Sequence, residues 1–191
     1  AASSGSATVT VTRPPGIAVI SSGNELVEAG NPLADYQVRS CNDRAIEACL
    51  RQRGLTRVTR ALLPDDMDVL LGQISDLHED NDVLILSGGV SMGKYDYIPA
   101  VMESLEVKLV FYKISQRPGL PMWFGTSRGE KLVFALPGNP VSSLVCLIRY
   151  VIPGLQRAMH MTASAVEQVV LAEAIDFEPD LTYFLPVRLT Y

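Results

Sequence analysis

The sequence predicts an α/β fold, a three-layer α/β/α arrangement with a mainly parallel sheet, followed by the start of an all-β C-terminal domain. From Gly16 onward, apolar runs of strand length alternate with segments of helical period, which is the pattern of a parallel sheet covered by helices. Beyond Thr162, two apparent strands follow each other without a helix between them. We therefore expect a linker with a short strand at residues 1–15, an α/β domain at 16–161 and the start of a β-domain at 162–191.

Each predicted element rests on a local pattern. Short apolar or alternating runs indicate strands at residues 9–12, 16–21, 56–63, 83–87, 107–113, 166–172 and 183–189. A polar turn containing Gly129 predicts a hairpin between residues 121–124 and 131–135. Apolar residues that recur every three or four positions indicate helices at 43–53, 67–77, 98–105 and 140–148. Asp65 or Asp66 is expected to cap the second helix, and Pro153 to end or kink the last one.

The composition excludes several classes of protein and site. A net charge of −5 leaves no broad basic face for nucleic acid, and no apolar run approaches the roughly 20 residues that cross a membrane. The chain begins without the basic and apolar blocks of a signal peptide, so we expect a cytoplasmic protein. Three cysteines without metal-type spacing indicate free thiols, and two histidines leave little for a catalytic triad or a zinc site.

Four loops carry the residue types that binding or catalysis would need. Each loop follows a predicted strand, and they are Ser22-Gly23-Asn24-Glu25, Pro64-Asp65-Asp66, residues 88–96 and Pro137-Gly138-Asn139-Pro140. The carboxyl ends of parallel strands lie along one edge of a sheet, so these loops are expected to meet at one crevice. That crevice is the usual ligand position in this architecture.

The residues of these loops predict an anion together with a divalent cation. Glycines at positions 88, 89, 93 and 138 let backbone N–H groups approach a ligand, and the helix that opens at Pro140 points its positive end the same way. The carboxylates of Glu25, Asp65, Asp66 and Asp96 would repel a bare phosphate. A phosphate ester with Mg²⁺ satisfies both sets of groups.

Simpler interpretations stay open for several of these residues. Glycine pairs also occur in plain tight turns, and Asp65 and Asp66 are expected first of all as helix caps. Arg117 is either a solvated strand charge or a contact to an anion at the rim. Glu25 and Asp96 have no clear capping role, which makes them the better candidates for metal binding or acid-base chemistry.

Three of these segments together resemble the molybdopterin-binding domain of the MoeA/gephyrin family of molybdenum insertases. Residues 17–26 (IAVISSGNEL) are similar to its strand and TG(D/N)EL loop, residues 87–97 (SGGVSMGKYDY) to its SGGVSxGxxD(Y/F) signature, and residues 136–142 (LPGNPVS) to its LPGNPVS loop. The resemblance implies a Mog-like fold. It also implies that residues 9–15 are the return strand from N-terminal domains and that a C-terminal β-domain begins at about residue 166.

The resemblance implies an activity as well. Family members insert molybdate into adenylylated molybdopterin and release AMP with the help of Mg²⁺, at a homodimer interface completed by N-terminal domains. Carried over by motif, the catalytic residues are Glu25, Asp66 and Asp96, and the metal ligands are Glu25, Asp65, Asp66 and Asp96. The positions expected to bind the pterin and phosphate are Ser22, Gly23, Gly88, Gly89, Ser91, Arg117, Pro137, Gly138, Asn139, Pro140 and Ser142.

Two departures from the family pattern keep other functions open. Leu120 replaces the second basic residue of the family's KPGKP segment, which is expected to help hold molybdate, and Ser40 replaces the acid of its D(S/T)N segment. The first alternative is therefore a molybdopterin-binding or scaffold module that no longer catalyses insertion. The second is the related molybdopterin adenylyltransferase, whose loop normally reads GGTG where this chain has GGVS.

Overall fold

A six-stranded sheet forms the centre of the part of the chain that the structure, a computed structural model, describes. The described residues are 2–88, 97–161, 168–177 and 180–189. In chain order the strands are β1 (Ile17–Ser22), β2 (Leu26–Val27), β3 (Val38–Arg39), β4 (Val58–Leu63), β5 (Val83–Ser87), β6 (Lys108–Tyr112), β7 (Gln116–Arg117), β8 (Trp123–Thr126), β9 (Leu132–Leu136) and β10 (Thr182–Tyr183). Two short pairs, β2 with β3 and β7 with β10, lie outside this sheet.

The strand order creates a switch point in the sheet. The order is β4-β1-β5-β9-β8-β6, in which β4, β1, β5 and β9 are parallel while β8 and β6 run antiparallel to their neighbours. In this register Ile17 of β1 lies between Val58 of β4 and Val83 of β5. The chain first moves from β1 to β4 on one side and then crosses to β5 on the other. The switch point therefore lies between β1 and β5, where ligands bind in open α/β sheets.

Helices cover both faces of the sheet. They are α1 (Asn42–Arg51), α2 (Met67–Asp80), α3 (Ile98–Ser104), α4 (Pro140–Cys146) and α5 (Ile152–Ala158). Side chains of successive strand residues point to opposite faces. Accordingly, Ile17 and Val19 pack in a buried cluster with α1, α4 and α5, whereas Ala18 and Ile20 pack in a second cluster with α2 and α3. None of the helices within the described residues is both long enough and apolar enough to span a membrane.

The three-layer α/β prediction is confirmed for the central domain. The predicted hairpin is the antiparallel pair of β8 and β9, and Asp66 is the residue that caps α2. Pro153 does not end the last helix as predicted, because a π-helical turn at Leu147–Val151 joins α4 directly to α5. Pro153 then lies two residues beyond the π-helical turn, in the first turn of α5.

The predictions of strands at the two ends of the chain are wrong, because the structure has either no strand or a shorter strand there. Residues 9–12 form no strand, and the side chains of Val9 and Val11 are 63% and 75% exposed. Near the other end, β10 covers two residues instead of 183–189, and the described residues 168–172 form no strand. A segment in which polar and apolar residues alternate forms a strand only when a neighbouring strand pairs with its backbone N–H and C=O groups. The domain boundaries and the start of an all-β domain stay predictions.

Candidate functional site

A cavity opens at the carboxyl ends of the parallel strands, beside the switch point between β1 and β5. Its volume is about 310 Å³. The lining comes from the ends of β1 and β5, from the segment before α1 and from the loop before α4, and it comprises Ser21, Ser22, Glu25, Leu26, Val38, Arg39, Ser40, Cys41, Asn42, Ser87, Gly88, Gly138 and Pro140. Three of the four predicted loops therefore contribute to one cavity.

Two glycines allow the turns after β1, β5 and β9 to lie close together. Gly88 has a φ of 96°, a conformation that L side chains rarely adopt, and a Cβ there would lie 3.4 Å from the carbonyl oxygen of Ser22. A Cβ on Gly138 would lie 3.7 Å from the Cα of Gly88. The N–H of Gly88 also donates to the carbonyl oxygen of Leu136, at 3.3 Å. The cavity floor is thus built largely from backbone.

The side chain of Asn42 connects the start of α1 to this floor. Its Nδ2 donates to Ser87 Oγ and to the carbonyl oxygen of Gly138, each at 2.8 Å. These two acceptors belong to the end of β5 and to the loop between β9 and α4. One amide therefore holds together three elements that surround the switch point.

The fourth predicted loop adjoins the cavity through Asn24 and Glu25. The backbone N–H of Asp65 donates to Asn24 Oδ1 at 3.1 Å, and the N–H of Gly23 donates to the carbonyl oxygen of Leu63 at 3.2 Å. The pKa of the Asp65 carboxyl is raised, first because burial removes water and second because the negative charge of Glu25 is close. Glu25 and Asp65 are therefore two carboxylates that repel each other beside the cavity.

Capped helix starts lie at two of the predicted loops. Asp66 Oδ1 accepts hydrogen bonds from the N–H groups of Asp68 and Val69, at 3.1 and 3.0 Å, at the start of α2. Asn139 Oδ1 accepts from the N–H of Ser142 at 3.0 Å, at the start of α4. Pro140 opens α4 and lines the cavity. The positive end of the helical path from α4 to α5 therefore faces the cavity and favours an anion there.

A cluster of charges supports the wall formed by the segment before α1. Ser40 lines the cavity and donates from its hydroxyl to Asp43, at 2.7 Å, and the Asp43 side chain is only 1% exposed. Arg60 of β4 pairs with this carboxylate, with Glu47 at 2.8 Å and with Glu28 at 3.3 Å. The hydrogen bond that Arg60 donates to the Asp43 carboxylate raises the pKa of the Arg60 guanidinium. One guanidinium therefore links β4, α1 and the segment that forms the cavity wall.

Comparison with known families gives a direct match for this domain. Residues 18–157 match the family described as "probable molybdopterin binding domain". The chain belongs to this family. The match covers the four parallel strands and every helix that surrounds the cavity, and it confirms the resemblance proposed from the sequence.

Two curated relatives of this molybdopterin-binding domain carry the same name. The molybdopterin molybdenumtransferase of a Synechocystis species is 38% identical over 98% of this chain and 46% of its own length. The protein of the same name from Staphylococcus aureus strain Mu50 is 31% identical over 97% of this chain and 45% of its own length. This chain therefore spans about half the length of the curated relatives that it matches.

Solved structures agree with the fold. A molybdopterin biosynthesis MoeA protein from Pyrococcus horikoshii is 34% identical, with a TM-score of 0.67 over 78% of this chain and 36% of that one. A molybdopterin biosynthesis Mog protein from Mycobacterium ulcerans is 21% identical, with a TM-score of 0.56 over 76% of this chain and 97% of that one. The second likeness concerns the fold alone, and together the two confirm the Mog-like three-layer prediction.

The structure brings together part of the predicted site of this molybdopterin-binding domain. The predicted residues that line the cavity are Ser22, Glu25, Gly88, Gly138 and Pro140. Others belong to the same loops without lining it, and these are Gly23, Asp65, Asp66, Pro137, Asn139 and, in the first turn of α4, Ser142. The predicted residues Gly89, Ser91 and Asp96 lie outside the described residues.

Arg117 lies apart from the other predicted site residues, and the predicted metal ligands among the described residues do not form a complete metal site. Arg117 does not line the cavity, and its guanidinium donates to the hydroxyl of Tyr183 at 3.4 Å. Within residues 2–88, 97–161, 168–177 and 180–189, no three His, Cys, Asp or Glu side chains gather in a way that could hold a metal ion. Glu25 and Asp65 form a pair only, and Asp96 is not among these residues.

The sequence interpretation missed the wall between β2 and α1. Arg39, Ser40, Cys41 and Asn42 all line the cavity, yet none of them was placed in the site. Two signals were available in the sequence. Fifteen residues separate Leu26 from Asn42 without a helical pattern, and a long connection at the carboxyl end of a strand commonly carries binding residues.

Proposed function

We propose that this chain is the molybdopterin-binding domain of a molybdenum insertase, which inserts molybdate into adenylylated molybdopterin and releases AMP. The observation that carries the proposal is the cavity at the switch point, with backbone of Gly88 and Gly138 as its floor and the start of α4 at its rim. Membership of the molybdopterin-binding family supports the same conclusion, as do relatives named molybdopterin molybdenumtransferase.

The binding part of the mechanism rests on the floor and rim of the cavity. The glycines leave room for a flat ring system against the backbone, because neither has a side chain between the turns. The start of α4, which Asn139 caps, offers a positive dipole end to phosphate oxygens. We expect the pterin to lie over Ser22, Gly88 and Gly138, and the phosphate to lie toward Pro140 and Ser142.

The acidic part of the mechanism rests on Glu25 and its neighbours. Two carboxylates that repel each other beside an anion cavity suit a divalent cation, and Mg²⁺ would supply charge neutralisation for a bound phosphoanhydride. Glu25, Asp65, Asp66 and Asp96 would hold it. Glu25 lines the cavity, and we assign its carboxylate the role of accepting the proton of the water that attacks phosphorus. That attack breaks the phosphoanhydride bond and releases AMP.

Enzyme assay of the full-length protein tests the insertase proposal. The protein is supplied with adenylylated molybdopterin, molybdate and Mg²⁺, and both AMP and molybdenum cofactor are measured. We expect both products, and we expect the Glu25→Gln variant to lose at least about a hundredfold in the rate of AMP release, the size of a general-base contribution. Absence of both products from the wild-type protein would contradict the proposal.

One observation favours a second candidate, a module that binds the pterin without inserting the metal. Leu120 is 38% exposed at the position where the family resemblance implies a basic residue, and the nearby Arg117 is engaged with Tyr183. A site that lacks the second basic residue of this segment would hold molybdate less tightly. The same assay separates the candidates, because pterin binding without AMP release favours the module. A gain of molybdate-dependent turnover in Leu120→Lys would show that this one charge limits the reaction.

A further inference from the structure

We propose that Asn42 is a specificity-determining residue of the cavity, and that its Oδ1 accepts a hydrogen bond from an N–H group of the bound heterocycle. The inference rests on the proposed function, because it concerns how a pterin would be recognised in the same cavity. The hydrogen-bond partners of the Asn42 side chain fix the orientation of its amide group.

The partners of Asn42 determine which end of the amide holds the protein. The carbonyl oxygen of Gly138 can only accept a hydrogen bond, so the atom 2.8 Å from it must be the nitrogen. The second hydrogen of the same nitrogen is directed at Ser87 Oγ, also at 2.8 Å. Both donors of the amide are therefore used within the protein, and rotation of the amide by 180° would place two acceptors against each other at Gly138.

The atom left for a ligand is the amide oxygen. Asn42 lines the cavity and is only partly buried, and its Oδ1 lies 3.7 Å from the thiol of Cys41, which is a weak donor. Oδ1 is an acceptor without charge. It cannot pair with a phosphate oxygen, which is also an acceptor, and it pairs well with the N–H of a neutral ring. A pterin carries such donors at its ring N3 and at its exocyclic amino group.

The side chain that would recognise the ligand, Asn42, also holds the floor of the cavity together. The same side chain joins α1, the end of β5 and the loop before α4, so a ligand that binds Oδ1 contacts a group held by two hydrogen bonds. A fixed acceptor loses little freedom on binding, which favours discrimination between ligands that do and do not offer the donor. The other side chains of the lining that could accept are hydroxyls, which also donate, and the charged Glu25.

A ligand pair combined with variants of Asn42 tests the inference. The probes are 6-hydroxymethylpterin phosphate and an analogue in which the exocyclic amino group and N3 carry methyl groups instead of hydrogens. Their dissociation constants are measured by fluorescence titration with the full-length protein. We expect wild type to bind the methylated analogue about tenfold more weakly, the effect of one lost hydrogen bond. Asn42→Leu should bind both probes with similar affinity.

Two further variants keep the test independent of folding. Asn42→Asp retains acceptor oxygens but cannot donate to Gly138, so it should bind both probes more weakly than wild type while still preferring the unmethylated pterin. Asn31→Leu makes the same chemical change as Asn42→Leu at an exposed position outside the cavity, and it should behave like wild type.

The possible outcomes distinguish the inference from the proposed function. An unchanged preference of Asn42→Leu for the unmethylated probe would overturn the inference and leave the proposed function intact. The inference would also fail if wild type bound both probes equally. If wild type bound neither probe, the proposed function would fail and the inference would fail with it.

Discussion

The carboxylates of Glu25 and Asp65 interact unfavourably, and this interaction depends on pH. Burial and the charge of Glu25 raise the pKa of Asp65 in the folded state. A carboxyl with a raised folded-state pKa binds its proton more tightly when folded, so its contribution to stability is present at low pH and is lost as the pH rises through that pKa. The repulsion is therefore felt most once the Asp65 carboxyl has lost its proton.

Replacement of Glu25 by Gln should therefore lower the pKa of Asp65. Carboxyl ¹³C chemical shifts followed through a pH titration measure that pKa directly. We also expect the melting temperature of the variant to exceed that of wild type where the Asp65 carboxyl is ionised, and the difference to shrink as the pH falls through the pKa of Asp65. An unchanged Asp65 titration would show that burial alone raises its pKa. Asp35→Asn removes a charge elsewhere and serves as the control.

A single side chain, that of Arg60, stabilises the segment that forms the cavity wall. Its removal leaves Asp43 buried without its guanidinium, so we expect Arg60→Met to lower the free energy of unfolding by about 3 kcal/mol, measured by urea denaturation. The double variant Arg60→Met/Asp43→Asn removes the buried charge and should recover much of that loss. Arg44→Met breaks a pair with Glu28 that lies nearer the solvent and should destabilise the protein clearly less than Arg60→Met does. Equal losses from Arg60 and Arg44 would contradict this account.

At the scale of a secondary-structure element, the starts of the helices were the features best predicted from the sequence. Asp65 or Asp66 was expected to cap α2, and in the structure the Asp66 side chain accepts N–H groups of the first turn, as the Asn139 side chain does at the start of α4. Such caps depend on residues two or three positions away, so local sequence is sufficient to predict them. The path of α4 into α5 depends instead on a π-helical turn before Pro153, which local spacing does not indicate.

Asp66 has two proposed roles, and two substitutions separate them. Asp66→Ala removes the cap of α2 and should lower the free energy of unfolding by about 1 kcal/mol. Asp66→Asn retains an oxygen that accepts from the same N–H groups, so its stability should stay close to wild type. If the carboxylate charge also serves catalysis, AMP release should fall in both variants. An Asn variant with full activity would assign Asp66 to capping alone.

At the scale of the whole molecule, the sequence was sufficient to predict the sheet, its layers and the edge that carries the cavity. Buried strands such as β1 and β5 are continuous apolar runs, and their order along the chain implies parallel pairing. The two hydrogen bonds of the Asn42 side chain were not predictable in the same way, because its partners Ser87 and Gly138 are 45 and 96 residues away. Contacts of that separation are set by the completed fold and leave no local pattern.

The distribution of the core predicts that the chain folds without its last thirty residues. Both buried clusters draw their fully buried members from residues 17–155, whereas the described residues from 168 onward are almost all exposed. The tail is attached through β10 on β7, the contact of Tyr183 with Arg117 and the ring of Phe184 beneath Arg149. These surface contacts contribute little to stability compared with the buried clusters.

Deletion of residues 162–191 should consequently leave unfolding cooperative. In urea we expect the free energy of unfolding to change by less than about 1 kcal/mol and the denaturant dependence to fall only in proportion to the shorter chain. Deletion from residue 152 is the matched control, because it also removes the buried Ile152 and Leu155 of α5 and should abolish the cooperative transition. If the shorter deletion abolished the transition as well, residues 162–191 would belong to the same folding unit as the sheet, and the domain boundary predicted at residue 161 would be wrong.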